Sequence, residues 1–526
     1  MVAVKKMFLQ QILSRSTLAL AVSAVLAAAV SASAHADVLD SLIEKLKDKG
    51  VISDDEYREI KDTREGEKAV IRRVKRDQAE KDTLAEERAK TEVRANFSEG
   101  STSGITFESA DKQNFMTIGG RIQGDYRNFG GDDAFLADTF DVRRAYLTVA
   151  GRFWDYYTFD LTGDFAGLSG SNTNTTTTKC SADPCTGANI SSTTSSTNLR
   201  NTSHLDVAWF NVGWWQSAQF RFGQFKMPMS IEEQTSSRFL DFQERSIMNQ
   251  FVPAKERGFM LHGTPTPGLF YGIALSAGQG KNNNETDNNV DGNDYIGRIG
   301  VNIAEMVGQK NAVYHLAAAY SSGSEPIGSN PNAIPSGRTE ARGVTFFSVA
   351  GVDGVDVDRT RTGLEAAVAY GPVKFQGEYL KANYSGRSTA GVDYDRGLDV
   401  WYAGVNWLIT GESYADTYKN GAFGRIRPKA NFSPKGAGWG AWELGLRYTN
   451  FDASDFKNTN PAGTGVLSTS STNKAQAYTL GVKWIPTPNT RFLLNYVKTD
   501  FDTTVTSNSK KADDEKAITF RAQFDF

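Results

Sequence analysis

The last ten residues alternate without a break: Ile518, Phe520, Ala522, Phe524 and Phe526 carry one parity, and Ala517, Thr519, Arg521, Gln523 and Asp525 the other. Successive side chains of a strand point to opposite faces, so this period of two sets an apolar row against a polar one. The pattern recurs upstream. Met116, Ile118, Gly120, Ile122 and Gly124 oppose Thr117, Arg121, Gln123, Asp125 and Arg127. Trp442, Leu444, Leu446 and Tyr448 oppose Glu443, Gly445, Arg447 and Thr449, and Tyr478, Leu480, Val482 and Trp484 oppose Thr479, Gly481 and Lys483. Polar stretches at 169–203, 280–293 and 452–473 separate such segments and suit long loops. A soluble sandwich can alternate too, but rarely through so many Trp-, Tyr- and Phe-rich strands. Strands that wet one face and bury the other in lipid must close into a barrel, because an open edge leaves backbone polar groups unpaired in hydrocarbon.

The N-terminus puts the chain on an export route. Lys5, Lys6 and Arg15 flank an apolar stretch from Leu18 to Val30, and small residues lead to Ala34-His35-Ala36. This order of basic, apolar and small residues predicts a cleaved signal peptide over 1–36. No later run of about 18 apolar residues follows, so the mature chain is expected to lack a spanning helix. Average composition hides the barrel: mean hydropathy is −0.42 because lumen-facing polar residues offset lipid-facing apolar ones. The formal net charge of −3, made more negative when the leader's three basic residues depart, says nothing about the sign of a pore, which a few residues at the narrowest point decide.

Between Asp37 and Ala95 the period becomes helical. Leu39, Leu42, Ile43 and Leu46 recur at helix spacing, Gly50 interrupts, and Ser53-Asp54-Asp55-Glu56 reads as a second helix start. Charges of both signs dominate from Lys61 to Arg94, with Val70, Ile71, Val74 and Leu84 sparse among them. Two readings stay open, a solvated helical spacer and a short periplasmic coiled coil that supports an oligomer. Interleaved acids and bases do not make a nucleic-acid face. The expected division is a signal peptide at 1–36, a charged helical periplasmic arm at 37–95 and a transmembrane barrel at 96–526.

Cys180 and Cys185, the only cysteines, share one polar segment and predict a local disulfide in an oxidising compartment. Two thiols with no nearby histidine do not make a metal site. His35 leaves with the leader, and His204, His262 and His315 lie in separate segments. With no GxSxG, no HExxH and no phosphate-cradling glycine loop, neither catalysis nor a cofactor is expected.

About 430 residues of barrel, at about 10 residues per tilted strand plus turns and loops, allow roughly 14 to 18 strands, and an even number is expected. Several segments then carry a specific likeness. The run Asp141-Val142-Arg143-Arg144-Ala145-Tyr146-Leu147 is followed by Tyr157 to Ala166. Phe222 to Ser230 continues into Glu233-Gln234-Thr235-Ser236-Ser237-Arg238, with Glu244-Arg245-Ser246 beyond. Trp407 to Glu412 and Gly440 to Leu444 complete the series. In this order the segments resemble the phosphate-selective porin O and P family, over the barrel and not over the charged arm.

The resemblance implies an all-β, antiparallel transmembrane barrel of 16 strands, assembled as a homotrimer. It also implies a loop at about 229–250 folded inward as a constriction, and a ladder of basic residues in the lumen. Arg144 and Tyr146 share the polar parity of their segment, against Ala145, Leu147 and Val149; Arg143 has the opposite parity and reaches the pore only from a strand end or a bulge. Ser236, Ser237 and Arg245 match hydroxyl and guanidinium positions of the family's site, and Asp206 resembles a site aspartate. Arg121 is lumen-facing by parity. Guanidinium forks suit phosphate or carboxylate oxygens, and hydroxyls add neutral hydrogen bonds that do not trap an ion. One departure concerns Glu233, which stands where phosphate-specific members carry a lysine three residues before the Ser-Ser pair. With Glu232 beside it, carboxylates within about 8 Å would weaken an anion site.

These features predict an outer-membrane porin for passive diffusion of small hydrophilic solutes, preferring small anions, with membrane lipid, solutes and two further copies as partners. The alternatives are a non-selective general porin and a structural protein that tethers the envelope through its helical arm.

Overall fold

The computed structural model describes residues 41–91, 93–99, 103–130, 136–166, 173–180, 190–197, 204–278, 280, 293–326, 334–350, 356–387, 393–436, 438–457 and 466–526. The signal peptide with its Ala34-His35-Ala36 site, and Cys185 with the expected Cys180–Cys185 bridge, lie outside the described residues. The chain forms two units, Met1–Glu92 and Val93–Phe526. The second unit begins at Val93, and its first strand opens at Arg94.

Among its described residues the first unit holds two helices, α1 at 41–48 and α2 at Asp54–Thr91. Ser53 starts α2 as a capping box: its hydroxyl accepts from the Glu56 N–H at 3.3 Å, and the Glu56 carboxylate accepts from the Ser53 N–H at 2.8 Å. Val70, Ile71, Val74 and Leu84 are all exposed on this helix.

In the second unit a hairpin, β1 (Arg94–Glu99) and β2 (Ser103–Glu108), leads into β3 (Phe115–Phe129), β4 (Thr139–Phe153), β5 (Tyr157–Asp164), β6 (His204–Trp215) and β7 (Ala218–Lys226). There follow β8 (Lys255–Thr266), β9 (Leu269–Ser276), β10 (Asp294–Asn302), β11 (Ala312–Pro326), β12 (Asp356–Tyr370) and β13 (Val373–Arg387). β14 (Asp393–Leu408), β15 (Ala441–Asp452), β16 (Lys474–Thr487), β17 (Thr490–Ser507) and β18 (Lys510–Asp525) complete the series. Eighteen strands form one sheet. From β3 onward every strand pairs antiparallel with the next, and β18 returns to residues 121–129 of β3, so sixteen strands close a ring. The hairpin joins the same edge of β3 at Phe115–Ile118.

The terminal residue makes the seam. The Gly120 N–H donates to the Phe526 carbonyl at 2.6 Å and the Phe526 N–H to the Gly120 carbonyl at 3.1 Å. A Cβ at position 120 would run into the Phe526 ring, so glycine leaves the space in which the last aromatic lies.

Burial is inverted relative to a soluble protein. Ile518, Phe520, Phe524 and Phe526 are exposed on the outer wall, whereas Thr519, Arg521, Gln523 and Asp525 are buried inside. An outer apolar band with a polar inside is the arrangement that lipid imposes. The lumen is not uniformly polar, however. Toward the long-loop ends of β12 to β17 the inner wall turns apolar, with Leu380, Ala382, Leu398, Val400 and Phe451 all buried in one cluster. Met227, Met229, Ile247, Met248 and Phe251 of the β7–β8 connection dock there, together with Phe346 and Phe347 of the β11–β12 connection. Each large apolar side chain so buried contributes about 1.5–3 kcal/mol, enough to fix both connections inside the barrel. A third connection, 409–440 between β14 and β15, enters from the short-turn end. Its Tyr414, Phe423 and Ile426 pack with Ile231 of the β7–β8 connection, and the Phe423 N–H donates to the Thr235 hydroxyl at 3.3 Å. Inner-wall residues that keep partial exposure include Arg143, Asp160, Trp209, Arg221, Lys226 and Lys255, all on β4 to β8.

Candidate functional site

The site is the junction between the β7–β8 loop and the inner wall of β3, β4 and β18. The loop turns through a short helix, Ile231–Gln234, whose Ser230 hydroxyl accepts from the Glu233 N–H at 3.1 Å. Wall groups then take the loop's free backbone groups. Glu378 accepts from the N–H groups of Ile231 and Glu232 at 3.1 and 2.9 Å, and the Asn495 side-chain carbonyl from the Gln243 N–H at 2.9 Å. Lys226, from the end of β7, donates to the carbonyls of Glu233, Gln234 and Thr235 at 2.5, 3.2 and 2.9 Å. An ammonium therefore does reach this turn, from the strand and not from position 233.

Ser236 and Ser237 lie against the wall arginines. Arg121 donates to the Ser237 hydroxyl at 3.1 Å, its guanidinium 4.4 Å over the Tyr146 ring centroid. Gln123 reaches the Ser237 carbonyl at 3.3 Å, and Arg144 donates to the Gln123 side-chain oxygen at 2.9 Å. Ser236 turns its hydroxyl to the Arg238 N–H at 3.3 Å. Arg121 and Arg144 are buried, yet neither forms an ion pair with a described residue, and the Arg121 Nε has no partner.

Arg143 lies in a bulge: Gln123 pairs with Arg144 while Gly124 pairs with Val142, which leaves Arg143 unmatched. The extra residue turns its side chain inward, 3.0 Å from Glu244 of the loop. Glu244 also meets Arg521 at 2.8 Å and Arg127 at 3.7 Å. Burial would raise the Glu244 carboxyl, but Arg143, Arg521 and Arg144 outweigh it and hold the group well below the usual range. Arg521 is in turn bound to Asp125 at 2.6 Å.

The remaining residues named from sequence engage one another. Arg245 turns back on its own loop, donating to the carbonyls of Glu232 and Thr235 at 2.9 and 3.0 Å, with the Glu233 carboxylate at 3.4 Å. Burial opposes ionisation of Glu233, yet Arg245, Lys226 and Lys255 hold its carboxyl below the ordinary value. Glu232 is paired with Arg447 at 3.1 Å and accepts from the Ser246 hydroxyl at 2.7 Å, but burial prevails and its carboxyl is raised. Asp206, unmatched in a second bulge between Val207 and Leu205, is bound by Lys255 at 2.6 Å. The loop carboxylates expected to oppose an anion are thus each matched to a base.

Lys226, Asp125, Arg521, Arg447 and Glu340, which stands 2.7 Å from Arg447, also border this junction and were not expected there from sequence. The parity of Asp125, Arg447 and Arg521 placed them inside; only the docked loops show what they hold. Among the described residues no group of three or more His, Cys, Asp or Glu could hold a metal ion.

The family model "Phosphate-selective porin O and P" matches residues 116–526. Porin O of Pseudomonas aeruginosa is 24% identical over 452 residues, covering 80% of this chain and 91% of that protein. Among solved structures, the outer membrane protein OmpT of Vibrio cholerae is 10% identical, covering 79% of this chain and 98% of its own, at a TM-score of 0.44. An anion-selective porin from Comamonas acidovorans is 12% identical, covering 78% of this chain and all of its own, at a TM-score of 0.42. With a closed sixteen-strand barrel, an inward-folded β7–β8 loop and a match that runs to the last residue, the chain belongs to the phosphate-selective porin O and P family of outer-membrane channels.

Proposed function

We propose that the chain is a passive diffusion channel with a mild preference for small anions, trimeric in the outer membrane. The observation that carries this is a charge imbalance. Arg121 and Arg144 stand on adjacent strands beside Ser237 with no ion pair of their own, while Glu232, Glu233, Glu244 and Asp206 are each matched to a base. A buried guanidinium without a counter-charge costs several kcal/mol, and a passing anion supplies what is missing. Hydroxyls beside it give hydrogen bonds weak enough for release. Arg143 and Arg245 act indirectly, Arg143 by fixing Glu244 and Arg245 by clamping the loop turn. Phosphate is not expected to bind tightly, because the lysine that marks phosphate-specific members is Glu233 here.

Reversal potential in a planar bilayer across a potassium chloride gradient tests the reading, followed by phosphate titration of the chloride current. Wild type should favour chloride modestly, and Arg121→Gln or Arg144→Gln should reduce that preference. A strongly cation-selective wild type would refute it. Outer-membrane barrels keep short turns in the periplasm, so on this reading the arm at 37–95 is periplasmic. The charged helix Asp54–Thr91 also favours a tethering role that can coexist with the pore. Deleting the arm should then weaken envelope integrity and leave conductance unchanged.

A further inference from the structure

The loop site does not use every free cation in the lumen. Arg221 on β7 has inward parity, since its neighbours Phe220 and Phe222 face outward and are exposed. Its guanidinium stands 4.3 Å over the ring centroid of Trp209 on β6 and 5.9 Å from that of Phe225. It forms no hydrogen bond or ion pair with a described residue, and its Nε is buried without a partner. Asp160, opposite Trp209 on β5, is the carboxylate whose field reaches it, from beyond ion-pair range. The polar group that could answer it is already occupied. Asn211, across from Arg221, donates to the Gln219 side chain at 3.0 Å and is bonded to His262 at 2.7 Å. Trp209 is held from behind by the buried cluster that includes Phe225 and Met260, yet remains partly exposed.

We propose that Arg221 and Trp209 form a second lumen subsite that takes the carboxylate of a small aromatic acid. The inference rests on the channel reading above and names a solute class for it. An indole covers one face of the guanidinium, so the edge N–H groups remain, and their fork matches the two oxygens of a carboxylate. A guanidinium is weakly hydrated, and here its surroundings are aromatic, so a carboxylate attached to a ring gains contacts that a strongly hydrated phosphate does not. The subsite lies on β6 and β7, whereas the Ser237 site is built on β3, β4 and the loop, so substitution can separate them.

Full-length protein in a planar bilayer, carrying chloride current, is titrated with benzoate and separately with inorganic phosphate. Benzoate should block saturably at concentrations where phosphate has little effect. Trp209→Leu should raise the half-blocking benzoate concentration about tenfold with the phosphate response unchanged, and Arg221→Gln should raise it at least as far while also lowering the general anion preference. Arg221→Lys keeps the charge and loses the fork, so it should weaken benzoate block while leaving the reversal potential in place. Heat-modifiable migration confirms that each variant is a folded barrel. Benzoate block that is absent, or equal in wild type and all three variants, overturns the subsite but leaves an anion-preferring channel standing. A cation-selective wild type removes the channel reading itself.

Discussion

Glu233→Lys is the substitution on which sequence and structure part company. By position it restores the lysine of phosphate-specific relatives, and on sequence alone it should strengthen an anion site. The structure gives the opposite expectation. The Glu233 carboxylate is buried and lies 3.4 Å from Arg245. At an effective dielectric near 20 that separation corresponds to an attraction of about 5 kcal/mol. A lysine would replace it with a repulsion of similar order, close to Lys226 and Lys255 as well. Removing one member of a buried pair costs about 3–5 kcal/mol even without repulsion. The loop turn cannot absorb that and stay docked, so its hold on Arg245 and Lys226 should fail. Single-channel recording should show a larger, noisier conductance with weaker ion preference, and heat-modifiable migration should show an intact barrel. Glu233→Gln should show the same change in smaller degree. A Glu233→Lys pore with wild-type conductance and stronger anion preference would mean that the carboxylate faces the solute path, and the loop-clamp assignment of Arg245 would be wrong.

Arg143→Ala removes the 3.0 Å partner of Glu244 but leaves Arg521, so it should raise conductance noise without reversing selectivity; a reversed sign would make Arg143 a direct solute ligand. The carboxyls of Glu233 and Glu244 are depressed, so their hold on the loop is fully present above the ordinary value of 4.5 and is lost only as pH falls below it. Glu232 is raised and takes up a proton above 4.5, so lowering the pH from neutrality should increase anion preference slightly at constant conductance; a jump in conductance above that pH would contradict the loop assignment. Deleting Phe526, or placing leucine at Gly120, should lower the yield of assembled barrel and leave the conductance of assembled pores unchanged, as read by heat-modifiability and single-channel size. Limited proteolysis should remove the arm up to about Glu92 and leave a heat-modifiable barrel, and collapse of the barrel on trimming would show that the arm is integral to it.

The wall was legible because lipid enforces it. Alternation at Ile518 to Phe526 or Trp442 to Thr449 tells which side chains face hydrocarbon, and the structure keeps that parity. Parity fails where a bulge inserts a residue, and Arg143 and Asp206 both occupy such places. No local pattern in Asp141-Val142-Arg143-Arg144 announces the extra residue; it shows only when β3 and β4 are paired. The inner filling was less legible still. Apolar residues in the loops, such as Met227, Met229, Phe346 and Phe347, read as ordinary loop hydrophobics until the apolar inner wall of β12 to β15 is known. The 409–440 connection carried one available clue, since a segment that long is unusual at the short-turn end of a barrel.

What the filling does to the pore follows from where it is anchored. Apolar packing binds the β7–β8 and β11–β12 connections to the β12–β17 side, and ionic contacts of Glu244 with Arg143 and Arg521 pin the same loop across the lumen to β4 and β18. A loop fixed at both walls divides the lumen, and on the channel reading proposed above solute passes where partial exposure remains, along β4 to β8. Arg221, Lys226 and Lys255 are on that wall beside the buried Arg144, against Asp160, Asp164 and Asp206. Lys255 and Asp206 cancel at 2.6 Å and Lys226 is occupied by three carbonyls, which leaves the two arginines against Asp160 and Asp164. On the channel reading proposed above, the charges of this wall stand near balance and form no dense basic ladder, so a mild preference and not strict anion selection is the expected behaviour.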